Sequence, residues 1–333
     1  MSSGQYIDGV LVQWGERLFY PSNRILRPVS TPRLHTLLRR KAAVIRQRIE
    51  ATVRRAPQAI VKVTGGGRGM GTIAAHFRYI SKNGQLALED DRGVARPGKE
   101  ALRDLCDQWR YGGSLIGKVS HRREAFNLML AMPAGTDADL LKKAARDFAR
   151  AELAGHRYVL VLHEHQTAPH VHLVVKAESV TGTRLNPRLA DLHRWRETFA
   201  QKLRAWGIEA EATRQATRGE VRNYEPVWRL KARQEGRVRN PADPVKQGRG
   251  QYDRRADAAR SWAHITQALA ASDAPQDRQL AQRIAAFLLD MPFVQQQVVA
   301  QVRDKGAGPV QSRRPSRGGT ERERERMRRE VGR

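Results

Sequence analysis

The chain has 333 residues, 40% of them apolar, one cysteine, and 61 lysines and arginines against 34 acids, a formal net charge of +27. That composition allows a sizeable core, excludes a disulfide framework or a multi-cysteine zinc module, and points to a polyanionic partner, nucleic acid first. No run of about 18 apolar residues occurs, so no membrane insertion is expected and the protein reads as cytoplasmic.

Residues 1–55 read as an N-terminal extension. Tyr6, Trp14, Phe19 and Tyr20 suggest one small hairpin there. From Thr31 the pattern turns helical, with Pro32 in the first turn and Leu34, Leu37, Leu38, Ile45 and Ile49 on one stripe among basic residues. Such a basic amphipathic helix serves either to dock on a main domain or to contact DNA.

A main domain is expected over residues 56–225. Residues 57–63 read as a strand that runs into Thr64-Gly65-Gly66-Gly67-Arg68-Gly69-Met70-Gly71, followed by a helix from Thr72 to about Lys82. Strand, glycine loop and helix N-terminus together form an anion-receptive corner. No Lys-Ser/Thr pair closes it as in a P-loop, and no alternating βαβ pattern follows. Along the helix, Ile73, Phe77 and Ile80 make an inward stripe, and Tyr79 lies about 120° away from it, off the core.

Residues 102–109 read as an amphipathic helix with Cys106 a core or semi-buried residue, residues 125–132 as a candidate strand, and residues 133–137 as a turn that caps a helix over 138–153. Four of the ten histidines then fall between positions 163 and 172, between apolar runs at 158–162 and 173–175. The runs read as strands of a hairpin with residues 166–169 as its turn, and a period of two lets His163, His165, His170 and His172 share one face. Three imidazoles converging there can hold a divalent cation and leave positions open for substrate. A helix from about Pro187 to Trp206 completes the domain, and the antiparallel hairpin favours an α+β sheet with helices on one face. Beyond it, residues 226–255 read as a polar linker, 256–304 as a small helical region and 305–333 as a basic disordered tail.

A cation held by three imidazoles polarises a phosphoryl or carbonyl oxygen, and in a chain this basic the phosphodiester is the expected electrophile. A metalloprotease helix does not fit, because the second histidine it needs would stand at position 167, which is threonine. A tyrosine can attack such a phosphate, and Tyr79 is the candidate by position; its proton must be taken by a base or its pKa lowered from about 10. Lys62, Arg68, Arg78 and Lys82 are plausible phosphate contacts, and Trp109, Tyr111, Trp195 and Trp206 are either base-stacking or core aromatics.

Ordered along the chain, Ala59 to Gly67, Phe77-Arg78-Tyr79-Ile80-Ser81-Lys82-Asn83-Gly84, Met132-Pro133-Ala134-Gly135-Thr136-Asp137, His163 to Val175, and Trp206-Gly207-Ile208 with Ala212-Thr213-Arg214 and Arg218-Gly219 resemble the motifs of conjugative relaxases. The resemblance is to the MobP class, close to the T-DNA border endonucleases. It implies an HUH nuclease fold: an antiparallel sheet carrying paired histidines, with helices behind. It further implies an enzyme that nicks single-stranded DNA at an origin of transfer, stays attached through a 5′-phosphotyrosine and religates the ends after transfer. Tyr79 would be the nucleophile, with His163, His170 and His172 the ligands of Mg²⁺ or Mn²⁺. The resemblance also implies relaxosome accessory proteins and the coupling protein of a type IV secretion system as partners, and a bacterial cytoplasmic protein that travels with its DNA. Where the family usually has an acidic residue, this chain has His165, whose expected role is that of base, of fourth ligand or of a weak substitute for the acid. Alternatives are a rolling-circle replication initiator or single-strand transposase of the same superfamily, and a non-catalytic DNA-binding accessory protein. The first two often need paired tyrosines or another motif order, against which the glycine motif and tyrosine preceding the hairpin argue.

Overall fold

The computed structural model describes residues 3–20, 32–164, 168–220, 235–237 and 249–295. In chain order the elements are α1 (Ser3–Phe19), α2 (Pro32–Val53), β1 (Ile60–Gly67), α3 (Met70–Ile80), β2 (Leu88–Asp90), β3 (Ala95–Arg96), α4 (Lys99–Tyr111), β4 (Ala125–Ala131), α5 (Ala138–Glu152), β5 (Tyr158–His163), β6 (His170–Lys176), α6 (Leu189–Ala205), α7 (Arg249–Ala270) and α8 (Pro275–Leu289). The six strands form one antiparallel sheet in the order β1-β4-β6-β5-β2-β3. The fold class is thus α+β, as the alternation of apolar runs suggests.

Strand periodicity divides the sheet's two faces. Val61, Leu128, Leu130, Val171, Leu173, Tyr158 and Leu160 point to one side, where they pack with Leu141, Phe148, Trp195 and Phe199 of α5 and α6. On α5 the buried residues fall at Leu141, Ala144, Ala145, Phe148 and Ala149, the spacing of a helix with one apolar stripe, and Asp137 caps its start by accepting from Leu140 N–H at 2.8 Å. Ala125, Val159, Val161 and Val174 point the other way, under Ile73, Phe77 and Ile80 of α3 and Leu102, Leu105 and Trp109 of α4. Helices therefore cover both faces, not one as expected: β5 is apolar on both sides, β6 adds Val174 to the α3 side, and each apolar patch needs a cover.

Glu89 of β2 reaches toward α5, where Arg146 makes two contacts with its carboxylate and Lys142 a third at 3.1 Å. At the other end of β6, the buried Lys176 ammonium donates to the carbonyl of Gly112 at 3.0 Å and so fixes the chain leaving α4.

The helices on either side of the sheet domain in the sequence meet. Ile7 and Leu11 of α1, Ile45 and Ile49 of α2, Trp262 and Ile265 of α7, and Leu280 and Ile284 of α8 share a second core. Residues 3–19 are thus helical where a hairpin was expected; the apolar spacing Ile7, Leu11 and Leu18 outweighs the aromatics, and Tyr6 stands exposed. The α7 helix begins at Arg249, inside the stretch read as linker. This bundle is tied to the sheet domain by Trp262 Nε1–H to Thr217 O at 2.8 Å, Thr217 Oγ1–H to Leu18 O at 2.7 Å and Arg48 to Glu197 at 2.7 Å. The disordered-tail reading of residues 305–333 lies outside the described residues.

Candidate functional site

The β5–β6 register places His163 opposite His170, and His172 opposite Val161. Because cross-strand partners share a face and side chains alternate along a strand, all three imidazoles emerge on the α3 side of the sheet. One ligand nitrogen of each lies within 4.8 Å of the others, and the ring centroids are 4.6 to 5.1 Å apart. His165 falls outside the described residues.

The hydrogen bonds set which nitrogens face inward. His163 Nε2 sits 2.6 Å from Ile80 O, and His170 Nδ1 sits 3.1 Å from Ala168 O. A carbonyl only accepts, so these nitrogens carry the protons, leaving the lone pairs on His163 Nδ1 and His170 Nε2; such outer contacts orient metal-binding imidazoles. His172 Nδ1 is buried with no hydrogen-bond partner. Burial, and secondarily the neighbouring His163, His170 and His76, push the His172 pKa down to about 3, so the ring is neutral at ordinary pH. Three imidazoles gathered on one face, each with a ligand nitrogen within 4.8 Å of the others, fit a divalent cation.

Tyr79 belongs to α3 and is 71% exposed, off the buried Ile73–Phe77–Ile80 stripe as its helical phase requires. Its ring meets His172 edge to face with centroids 6.5 Å apart. His76, one turn earlier on α3, stacks on Tyr79 at 6.0 Å and meets His172 at 6.3 Å, and its Nε2 is buried without a partner. Burial lowers its pKa. The sequence reading passed over His76, although the i, i+3 spacing to Tyr79 places both on one helix face.

Both ends of α3 are pinned. At its start, Met70 N–H donates to Gly117 O at 2.9 Å and Gly71 N–H to Lys118 O at 3.1 Å. The anion-receptive corner expected here is therefore not open: carbonyls already take these donors, and the glycines extend β1 and let the 117–124 segment approach. Gly69 has φ 105°, and a Cβ there would stand 2.6 Å from Lys118 O. At the other end, Ile80 offers its carbonyl to His163, and Lys82, Asn83 and Gly84 turn the chain with φ of 50°, 58° and 89°.

The expected phosphate contacts are dispersed. Lys62 is exposed on β1, in the same cross-strand row as Met129 and His172. Arg78 and Lys82 are exposed on and just after the tyrosine helix, and the Arg78 charge partly offsets the burial that raises the Cys106 thiol. Arg68 is also exposed, but its guanidinium donates to His121 O at 3.1 Å. Trp109 and Trp195 are core residues, whereas Trp206 bonds Asp147 through Nε1 and Tyr111 is exposed beside Arg110.

Residues 79–208 match a family model described as relaxase, MobA/VirD2-like, nuclease domain. The matched stretch begins at Tyr79 and includes the three histidines. No curated protein matches the chain.

Proposed function

We propose that this chain, which carries a DNA-nicking relaxase nuclease domain of the MobA/VirD2 type over residues 79–208, cuts one strand at an origin of transfer with Tyr79 as nucleophile. The observation that carries the reading is the meeting of an exposed phenol with three convergent imidazoles on one sheet face. Tyr79 Oη gives up its proton and attacks the scissile phosphorus, an O–P bond forms, the P–O3′ bond breaks, and the 3′ oxygen leaves as a hydroxyl after taking up a proton in exchange. The strand stays on the protein as a 5′-phosphotyrosine, and the reverse step rejoins the ends. The same chemistry run backwards needs no external energy source, because one phosphodiester is exchanged for another.

His163, His170 and His172 would hold Mg²⁺ or Mn²⁺, which when bound supplies Lewis-acid polarisation of a non-bridging phosphate oxygen. The residues of the chain do the rest. Ile80 O and Ala168 O keep two imidazoles in the ligating tautomer. His76, kept neutral by burial, leaves a basic nitrogen beside the phenol. The phenol is open to an incoming strand, which must be single or melted for in-line attack. An overall charge of +27 supports a nucleic-acid partner, and we extend the reading to relaxosome accessory proteins and a type IV secretion coupling protein. Among the described residues no helix is long and apolar enough to cross a membrane.

The test is to incubate the protein with labelled oligonucleotides spanning its own mobilisation region and Mg²⁺ or Mn²⁺, and to look for a denaturant-stable protein–DNA adduct. Tyr79→Phe abolishes the adduct if the reading holds; an adduct formed at the wild-type rate by that variant refutes it.

A further inference from the structure

The imidazole face continues across the sheet. Register gives one row of Lys62, Met129, His172 and Val161, and a second of Gly65, Asn127, Val174 and Val159. Val161, Val174 and Val159 are buried under α3 and α4, whereas Met129 and Asn127 of β4 are half-buried and Lys62 on the edge strand is exposed. The helices thus cover β6, β5 and the Ala125 and Gly67 ends of β4 and β1 on this face, and leave open a floor over the Asn127–Met129 stretch of β4 and the Lys62–Gly65 stretch of β1, with His76 and Tyr79 beside it.

The floor's chemistry is graded. Lys62 brings a cation to the edge, Met129 a flexible, polarisable apolar surface beside His172, and Asn127 an amide with two donors and an acceptor. No hydrogen bond among the described residues uses that amide; Asn127 contributes its backbone carbonyl to Thr64, and glycine at position 65 leaves space, since a Cβ there would lie 3.7 Å from Asn127 Nδ2. Cation, apolar face and two-way polar edge match the three parts of a nucleotide: phosphate, base plane and base edge.

Building on the nicking reading above, we propose that this floor seats the nucleotide next to the scissile phosphate, with Lys62 on its phosphate, Met129 against the base and Asn127 reading the base edge. Asn127 and Met129 then become determinants of which sequence is cut, although neither touches the reacting atoms.

The experiment is fluorescence anisotropy in EDTA, with labelled single strands of about 15 nucleotides, homopolymers of each base and an abasic strand of the same length. The wild-type chain is expected to prefer base-bearing strands. Met129→Ala should reduce that preference about fivefold while leaving affinity for the abasic strand unchanged. Asn127→Ala should narrow the spread between homopolymers, and Lys62→Ala should weaken every strand alike and lower the salt slope by about one. Circular dichroism melts of the variants separate lost binding from lost folding, and Asn127→Asp, which keeps the size but removes the donors, should shift the base preference even if Asn127→Ala unfolds. Unchanged base preference in both the Met129 and Asn127 variants overturns the inference while the nicking reading stands. A wild-type chain that binds no single strand at all overturns both.

Discussion

Glu89→Gln tests a buried ion-pair cluster of the sheet domain. The carboxylate is 1% exposed, and it meets Arg146 at two points, one of them 2.6 Å, and Lys142 at 3.1 Å. Removing one partner of a buried ion pair costs about 3–5 kcal/mol. Here the stranded cations recover some hydration, since Arg146 and Lys142 side chains are 34% and 22% exposed, which brings the expected loss to about 2–3 kcal/mol. At about 2–4 °C per kcal/mol for a domain of this size, Tm should fall by roughly 5–10 °C by differential scanning calorimetry at pH 7. Burial alone would push the Glu89 carboxyl up, but the bonds and charges of Arg146 and Lys142 outweigh it and hold the group below the ordinary range. A folded pKa below the unfolded one gives stability that is present above about pH 4.3 and is lost as pH falls through the folded value. The gap between wild type and Glu89→Gln should therefore stay constant from pH 8 to about 5 and close below about 4. A gap under about 1 °C at pH 7, or one that survives unchanged to pH 3, refutes the reasoning.

Three further outcomes are expected. His172→Ala should abolish thermal stabilisation by Mn²⁺ while leaving the metal-free Tm near wild type at pH 7, because His172 Nδ1 has no hydrogen bond to lose. With a folded pKa of about 3, below the ordinary imidazole value, His172 costs nothing above about pH 6.5, but below it the unfolded ring takes up a proton that the folded ring does not, so the metal-free wild type should lose ground to His172→Ala between about pH 6.5 and 4; the opposite trend would refute the shift. Gly69→Ala should cost at least about 2 kcal/mol in a denaturant melt, since φ 105° and the Lys118 carbonyl both oppose a Cβ. Trp262→Phe removes the donor to Thr217 O and should lower the unfolding midpoint by the equivalent of about 1–3 kcal/mol with adduct formation intact.

What was legible in the sequence was local. A period of two across the histidine window and a period of 3.6 around Tyr79 are rules of one strand and one helix, and they place those side chains on the faces they occupy. Asp137 as the cap of α5 is of the same kind. What was not legible depends on distant chain. Nothing near Gly69 announces that the carbonyls of Gly117 and Lys118 will take the first donors of α3. Nothing near Lys62 tells that α3 and α4 leave its stretch of β1 uncovered. The helical nature of residues 3–19 was available in the spacing of Ile7 and Leu11, but aromatic residues drew the reading toward a hairpin; the partners that decide it, Trp262 and Ile265, stand far along the chain.

That last arrangement bears on how the molecule is made. As the polypeptide leaves the ribosome, α1 and α2 emerge first with Leu11 and Ile49 uncovered, and the residues that shelter them are translated only after the entire nuclease sheet. The sheet domain can complete itself in the interval, whereas the bundle must close a loop that includes the whole sheet domain. Truncation upstream of Trp262 therefore leaves the apolar stripes of α1 and α2 uncovered, and a fragment meant for study should either retain both of the helical segments that share this core or discard both.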